Sequence, residues 1–360
     1  MVQRFAGLFA ALALLSQEAM AQDATAQDRI DLEPASSWGM NYDDDSCALQ
    51  RQFGPEGQQV FLEIRQFGPG DELQFTAASK DFESRRGPFS VQIEPIDAVP
   101  RQNGGLFNVA LGEGYAGRLF RLSLAEGEAE YDELYSHFVD TTPVLHEEQR
   151  ELLHEGRRLW EKLATQDVRS RQRAMREFQK FSMRDDYQIA LRRATRVFRQ
   201  DEGYRHYLER LEAEVAGIGL YDAFERPIYL QTGDLVEAMD AMKVCLEELE
   251  AHWGIDVEAR RTLTRAAEPY DYDRLAREVM EDYPREMARQ RIPAHLRVRL
   301  DVSAEGKPTG CHMQSGLNDE AFEREACGNM MRFAQFYPAL DAQGMPIRSY
   351  YQISVVYVPR

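Results

Sequence analysis

Hydrophobic positions change their period along this chain, and each change predicts a change of architecture. From Trp38 to about Leu124 apolar and polar residues alternate over short runs: Val60, Leu62 and Ile64; Leu73 and Phe75; Phe89, Val91 and Ile93; then 106–111 and 119–124. A period of two sends successive side chains to opposite faces of a strand, so these runs predict half-buried strands. Gly68-Pro69-Gly70, Gly87-Pro88 and Gly104-Gly105 separate them as turns. The expectation is a mainly antiparallel β domain.

From about Pro143 to Val215 the period lengthens. Tyr187, Leu191, Ala194 and Phe198 share one helical face, as do Tyr204, Leu208, Leu211 and Val215, which is the stripe of a helix packed on one side. The opposite faces carry Arg169, Arg171, Arg173, Arg176, Arg192, Arg193, Arg196 and Arg199. Interspersed acids favour a solvated, ion-paired surface over a docking site for an acidic partner. A strand near Pro227–Gln231 and a capping pair, Asp234 with Glu237, then introduce a helix. That helix presents Leu235, Met239, Met242, Leu246 and Leu249 and stops near Gly254. Residues 36–142 and 216–256 are thus expected to form one β-rich domain, with a charged helical insertion at 143–215.

After an expected linker at 257–282, alternation returns. Leu296, Val298 and Leu300 interleave with Arg297, Arg299 and Asp301, predicting a strand with one face buried. Glu305-Gly306 supplies a turn, and a second strand passes through about Cys311–Gln314. Asn318 is placed to cap a helix from Asp319 to about Phe333, and a last strand runs within Ile347–Tyr357. The fold class predicted for the whole chain is α+β, ending in the order strand, strand, helix, strand.

Composition adds a compartment. The 360 residues carry a formal charge of -18, which argues against nonspecific binding to nucleic acid or an anionic bilayer. Arg4, the apolar run Phe5–Leu15 and Ala19-Met20-Ala21 form the pattern of a secretory signal peptide at 1–21, followed by a polar tether at 22–35. The apolar run is short for a bilayer span, so cleavage and export are expected rather than an uncleaved membrane anchor. Export makes Cys47, Cys245, Cys311 and Cys327 candidates for disulfides, with three connectivities open and four buried thiols as the alternative. The preferred pairs are Cys311 with Cys327, closing about 15 residues for about 3 kcal/mol of chain-entropy stabilisation, and Cys47 with Cys245.

Catalytic templates fail at nameable positions. His146-Glu147 begins a zinc-protease pattern, but Arg150 stands where the second histidine is needed. Cys311 and His312 are neighbours on a strand and point to opposite faces. Asp43, Asp44 and Asp45 lack the spaced oxygens and glycine of a calcium loop. No catalytic, metal or cofactor residue is assigned, and the chain is not expected to be an enzyme.

The strongest functional signal lies near the C-terminus. Tyr283-Pro284, "LRVRLDVSAEGKP", "QSG" (Gln314, Ser315, Gly316), Phe336-Tyr337-Pro338 and "DAQGMPI" follow one another in an order that resembles the C-terminal domain of the TonB energy-transducer family, over about 283–360. Cys311 and Cys327 resemble a cysteine-bearing branch of it from Gram-negative bacteria. "SSWGMNYDDDSCALQRQFG" and "MKVCLEELEAHWGID" resemble segments that precede such domains, and no chemistry is attached to them. The resemblance implies a β-β-α-β domain that captures an extended peptide of an outer-membrane transporter as an added strand. Its candidate edge is Ser349, Tyr350, Tyr351, Gln352, Ile353, Ser354, Val355, Val356 and Tyr357. A complete transducer would also need a retained membrane helix and a long Pro/Lys-rich spacer. The expectation is therefore a periplasmic interaction module whose partner is a periplasmic or outer-membrane protein, such as a peptide of a TonB-dependent transporter. The alternative is an envelope hydrolase using Asp43, Asp45 and Glu63, with the C-terminal domain docking it.

Overall fold

The computed structural model describes residues 29–357, apart from 71, 104–107, 113, 126–128, 166–167, 200, 282–288, 290–293 and 317–319. The predicted signal peptide, the Asn318 cap, Tyr283 and Pro284 lie outside the described residues.

The first strands are β1 (Ile30–Leu32), β2 (Gly39–Asp43), β3 (Ser46–Phe53), β4 (Val60–Gln66), β5 (Leu73–Ser79), β6 (Phe89–Glu94), β7 (Arg101–Asn103), β8 (Asn108–Gly112) and β9 (Tyr115–Leu122). Helices α1 (Ala129–Thr141), α2 (Glu147–Thr165), α3 (Val168–Ser182), α4 (Asp185–Phe198) and α5 (Glu202–Glu214) follow. β10 (Gly217–Tyr221), β11 (Ile228–Leu230) and α6 (Val236–His252) return the chain to the sheets. The two sheets have the orders β2-β3-β4-β5-β9-β8 and β1-β11-β10-β6-β7. They meet through Phe120, which stacks on Phe75 at 5.0 Å within its own sheet and receives the edge of Phe89 at 5.8 Å from the other. The alternating residues Val60, Leu62 and Ile64 are all buried there, as their period predicts.

Three expectations change. Ile30–Leu32, inside the expected tether, is a strand that pairs in parallel with Ile228–Leu230, and Leu32 fills the core. That pair is parallel in sheets otherwise antiparallel, as the mainly antiparallel expectation allows. Helical structure begins at Ala129, inside the expected β-rich segment, and α1 sends Phe138 and Val139 into the same core as Phe198 and Tyr204. On α6 the expected stripe is buried in full, and Cys245 beside it bonds to Cys47 of β3. Asp234 accepts from the Val236 N–H at 3.3 Å, so the helix starts one residue later than a cap at 234 would place it.

The supposed linker is also folded. It holds α7 (Val257–Arg261), β12 (Glu268–Pro269) and α8 (Tyr272–Glu281). Leu275 and Val279, four apart on α8, enter the C-terminal core. That core is built on β13 (Ala294–Val302), β14 (Pro308–Gly316), α9 (Glu320–Phe333), β15 (Phe336–Tyr337), β16 (Ala339–Leu340), β17 (Pro346–Ile347) and β18 (Ser349–Tyr357). The sheet order is β14-β13-β18, all antiparallel. Leu296, Val298, Leu300 and Val302 face α9, where Ala326 and Met330 cover them and Cys327 bonds to Cys311. Gly306, at φ +76°, turns the β13–β14 hairpin, and a Cβ there would lie 2.0 Å from the Phe336 carbonyl. Phe336 in turn donates its N–H to the Gly306 carbonyl at 2.9 Å, which explains a glycine at that turn.

Candidate functional site

The polar face of the C-terminal sheet is covered as well as the apolar one. The register sets Arg297 opposite Ser354, Arg299 opposite Gln352 and Asp301 opposite Tyr350, and these side chains meet the N-terminal body. Arg299 is 3% exposed. It bonds Asp301 at 2.5 Å and Asp45 at 3.2 Å, and its guanidinium lies 4.1 Å from the Trp253 ring centroid. Gln314, from the QSG motif, donates to the carbonyls of Phe67 and Asp45 at 2.8 and 3.1 Å. Gln352 donates to the same Phe67 carbonyl and to the Gln314 side-chain oxygen. A Cβ at Gly68 would stand 3.0 Å from the Gln352 amide, so the loop approaches β18 closely.

A second contact carries a buried acid. Glu250 of α6 is 0% exposed, accepts from the Tyr350 hydroxyl at 2.7 Å and pairs with Arg260 at 2.7 Å. Burial pushes the Glu250 carboxyl above its ordinary range, against the opposing pull of Arg260 and Tyr350. Burial, with Glu250 beside it, raises the Tyr350 phenol well above its usual value. Trp253 packs edge-on to Tyr350 at 5.3 Å and donates its indole N–H to the Asp44 carbonyl at 2.9 Å.

Strand β18 has β13 on one flank. On the other, among the described residues, no strand pairs with it. Ser349, Tyr350, Tyr351 and Gln352 line a groove of about 820 Å³ there. Successive side chains of a strand point to opposite faces, so four consecutive lining residues mean that the groove runs along the flank of the strand. Its far walls are the 67–70 loop, residues 263–269 and a face of α4.

The other expected positions fall as follows. Ser315 and Gly316 pair with Arg297 and Leu296 on β14. Phe336 is buried opposite Pro269, and the Pro338 carbonyl accepts from Arg265 at 2.9 Å. Val356 and Tyr357 extend β18 opposite His295 and Ala294. The acids weighed for a hydrolase are held by arginines: Asp45 by Arg299, Glu63 by Arg65 at 2.9 Å and Asp43 by Arg65 at 3.5 Å. Among the described residues no cluster of His, Cys, Asp or Glu could hold a metal ion. The residues that sequence reasoning missed are Glu250 with Arg260, and the groove face of α4. The latter had a signal, a second stripe at 188, 191, 195 and 199 beside the one assigned to packing.

These features define an α+β protein whose last sheet, among the described residues, has an unpaired strand flank beside a groove shared with the body before it. Residues 280–359 match the family model described as the Gram-negative bacterial TonB protein C-terminal, and this part of the chain is a TonB C-terminal domain. No curated protein and no solved structure matches the chain. The domain and the two disulfides, Cys47–Cys245 and Cys311–Cys327, fit a protein of the cell envelope. Among the described residues no helix is long and apolar enough to cross a membrane.

Proposed function

We propose that this protein is a periplasmic interaction module that binds an extended peptide of an envelope partner by adding it as a strand to β18. One observation carries the reading: among the described residues β18 has a partner strand on one flank only, with a groove of about 820 Å³ along the other. A strand with an unpaired flank presents backbone N–H and C=O groups that an incoming chain can bond. Six residues, 349 to 354, offer about 20 Å of edge at roughly 3.3 Å per residue. The partner class follows from the TonB C-terminal domain, whose family acts with outer-membrane proteins; a peptide of a TonB-dependent transporter is the first candidate. The reading includes no catalytic step and no cofactor.

Hydrogen exchange on the full chain, with and without a Gram-negative envelope extract passed over it, tests this. Between Ser349 and Ser354 the alternate amides that point away from β13 are expected to slow their exchange at least tenfold in the captured complex. Capture of a partner with β18 exchange unchanged rejects strand addition.

A further inference from the structure

We infer that helix α4 of the N-terminal body is the second wall of the peptide site, and that it selects peptides carrying a carboxylate side chain. The inference rests on strand addition at β18 and adds what reads the incoming side chains.

Gln188, Leu191, Thr195 and Arg199 all line the groove. Their spacing of three, four and four is that of a single helical face. It is distinct from the buried stripe of α4, where Tyr187, Ala190, Ala194 and Phe198 enter the sandwich core. Leu191, which its period places on the packing stripe, packs against that core and, half-buried, lines the groove as well. The helix therefore presents one face to its own domain and a second to the flank of β18.

The described lining carries four arginines, Arg121, Arg199, Arg260 and Arg297, and two glutamates, Glu72 and Glu268. This basic lining sits in a chain of net charge -18. Arg121 and Arg297 both reach the Ser354 hydroxyl, at 3.2 and 3.0 Å, so guanidinium groups from the two bodies converge on β18 itself. Burial and the neighbouring Arg297 disfavour the charge on Arg121, while Glu72 favours it, so a further carboxylate there would stabilise the cation. Leu191, Leu263 and Ala266 give the same groove an apolar wall. An extended peptide alternates its side chains, so one set meets that wall while a carboxylate meets the arginines.

The probes are fluorescein-labelled decapeptides of alternating threonine and valine with one central Glu, and the same peptide with Gln or Lys in its place. Their binding to the full chain is read by fluorescence anisotropy. The Glu peptide is expected to bind about tenfold tighter than the Gln peptide, within the range of a charge-assisted hydrogen bond. Arg199→Glu, an exposed substitution after the last turn of α4, is expected to abolish that preference. It should also raise affinity for the Lys peptide, a gain that a misfolded variant would not show. Equal binding of all three peptides, or a Glu preference that survives Arg199→Glu, overturns the role of α4 and leaves strand addition standing. Failure of all three to bind overturns both.

Discussion

The two faces of the C-terminal sheet are built from the same strands and covered by different physics. One presents Leu296, Val298, Leu300 and Val302 to α9, with every one of these side chains buried. The other presents Arg297, Arg299 and Asp301, and it too is covered, by the turn before β3, the 67–70 loop and the end of α6. Apolar burial is nondirectional and scales with area. The charged face is held only where geometry satisfies each donor and acceptor. The first face therefore makes a domain, and the second fixes its position against a particular neighbour.

The Cys47–Cys245 bond supports the second face from behind, since β3 and α6 supply Trp253, Glu250 and the adjoining Asp44-Asp45 turn. Its ends are 198 residues apart, for which chain entropy predicts about 5 kcal/mol. C47S/C245S is expected to show the largest loss, read by denaturant unfolding, with the fall in amide protection starting at α6. A loss that begins in the α9 core would break the assignment. Next, Leu300→Ala should lower the stability of the C-terminal unit by about 4 kcal/mol through a cavity under α9. Arg299→Ala should cost about 3 kcal/mol by leaving Asp45 and Asp301 without their shared cation. Calorimetry separates the two: the arginine variant is expected to split unfolding into two steps, and the leucine variant to weaken the C-terminal step. Identical thermograms would mean that the faces do not differ in kind.

The smallest effect concerns pH. Glu250 has a folded pKa raised above its ordinary 4.5, so between those values the native state holds more protons than the unfolded chain. Stability falls as pH rises through that window, by at most about 1.4 kcal/mol per pH unit for one group. Glu250→Gln is expected to flatten this slope in urea titrations from pH 4 to 8. An unchanged slope would show that Glu250 keeps an ordinary pKa.

Much of the C-terminal unit was legible because its signals are local. Alternation on β13 and the glycine turn at 306 each report the geometry of one element about its own axis, as the buried α6 stripe does in the N-terminal body. The folded segment 257–281 was less legible, since α8 spans only ten residues and its two core side chains, Leu275 and Val279, make a short pattern. The candidate edge could be named from the family resemblance, but a strand's own residues do not say what stands beside it. Leu191 shows the limit: its period places it on the packing stripe, where it does meet the core, and only the position of β18 shows that it lines the groove as well.

By itself the sequence determined the periods, the turns, the even cysteine count and the presence of a TonB C-terminal domain. Tertiary structure alone decided that the charged face of β13 is buried, that Glu250 meets Tyr350, and that α4 walls the flank of β18. The reason is distance along the chain. Asp45 and Arg299 lie 254 residues apart, and periodicity carries no information about which distant surface will cover a polar face.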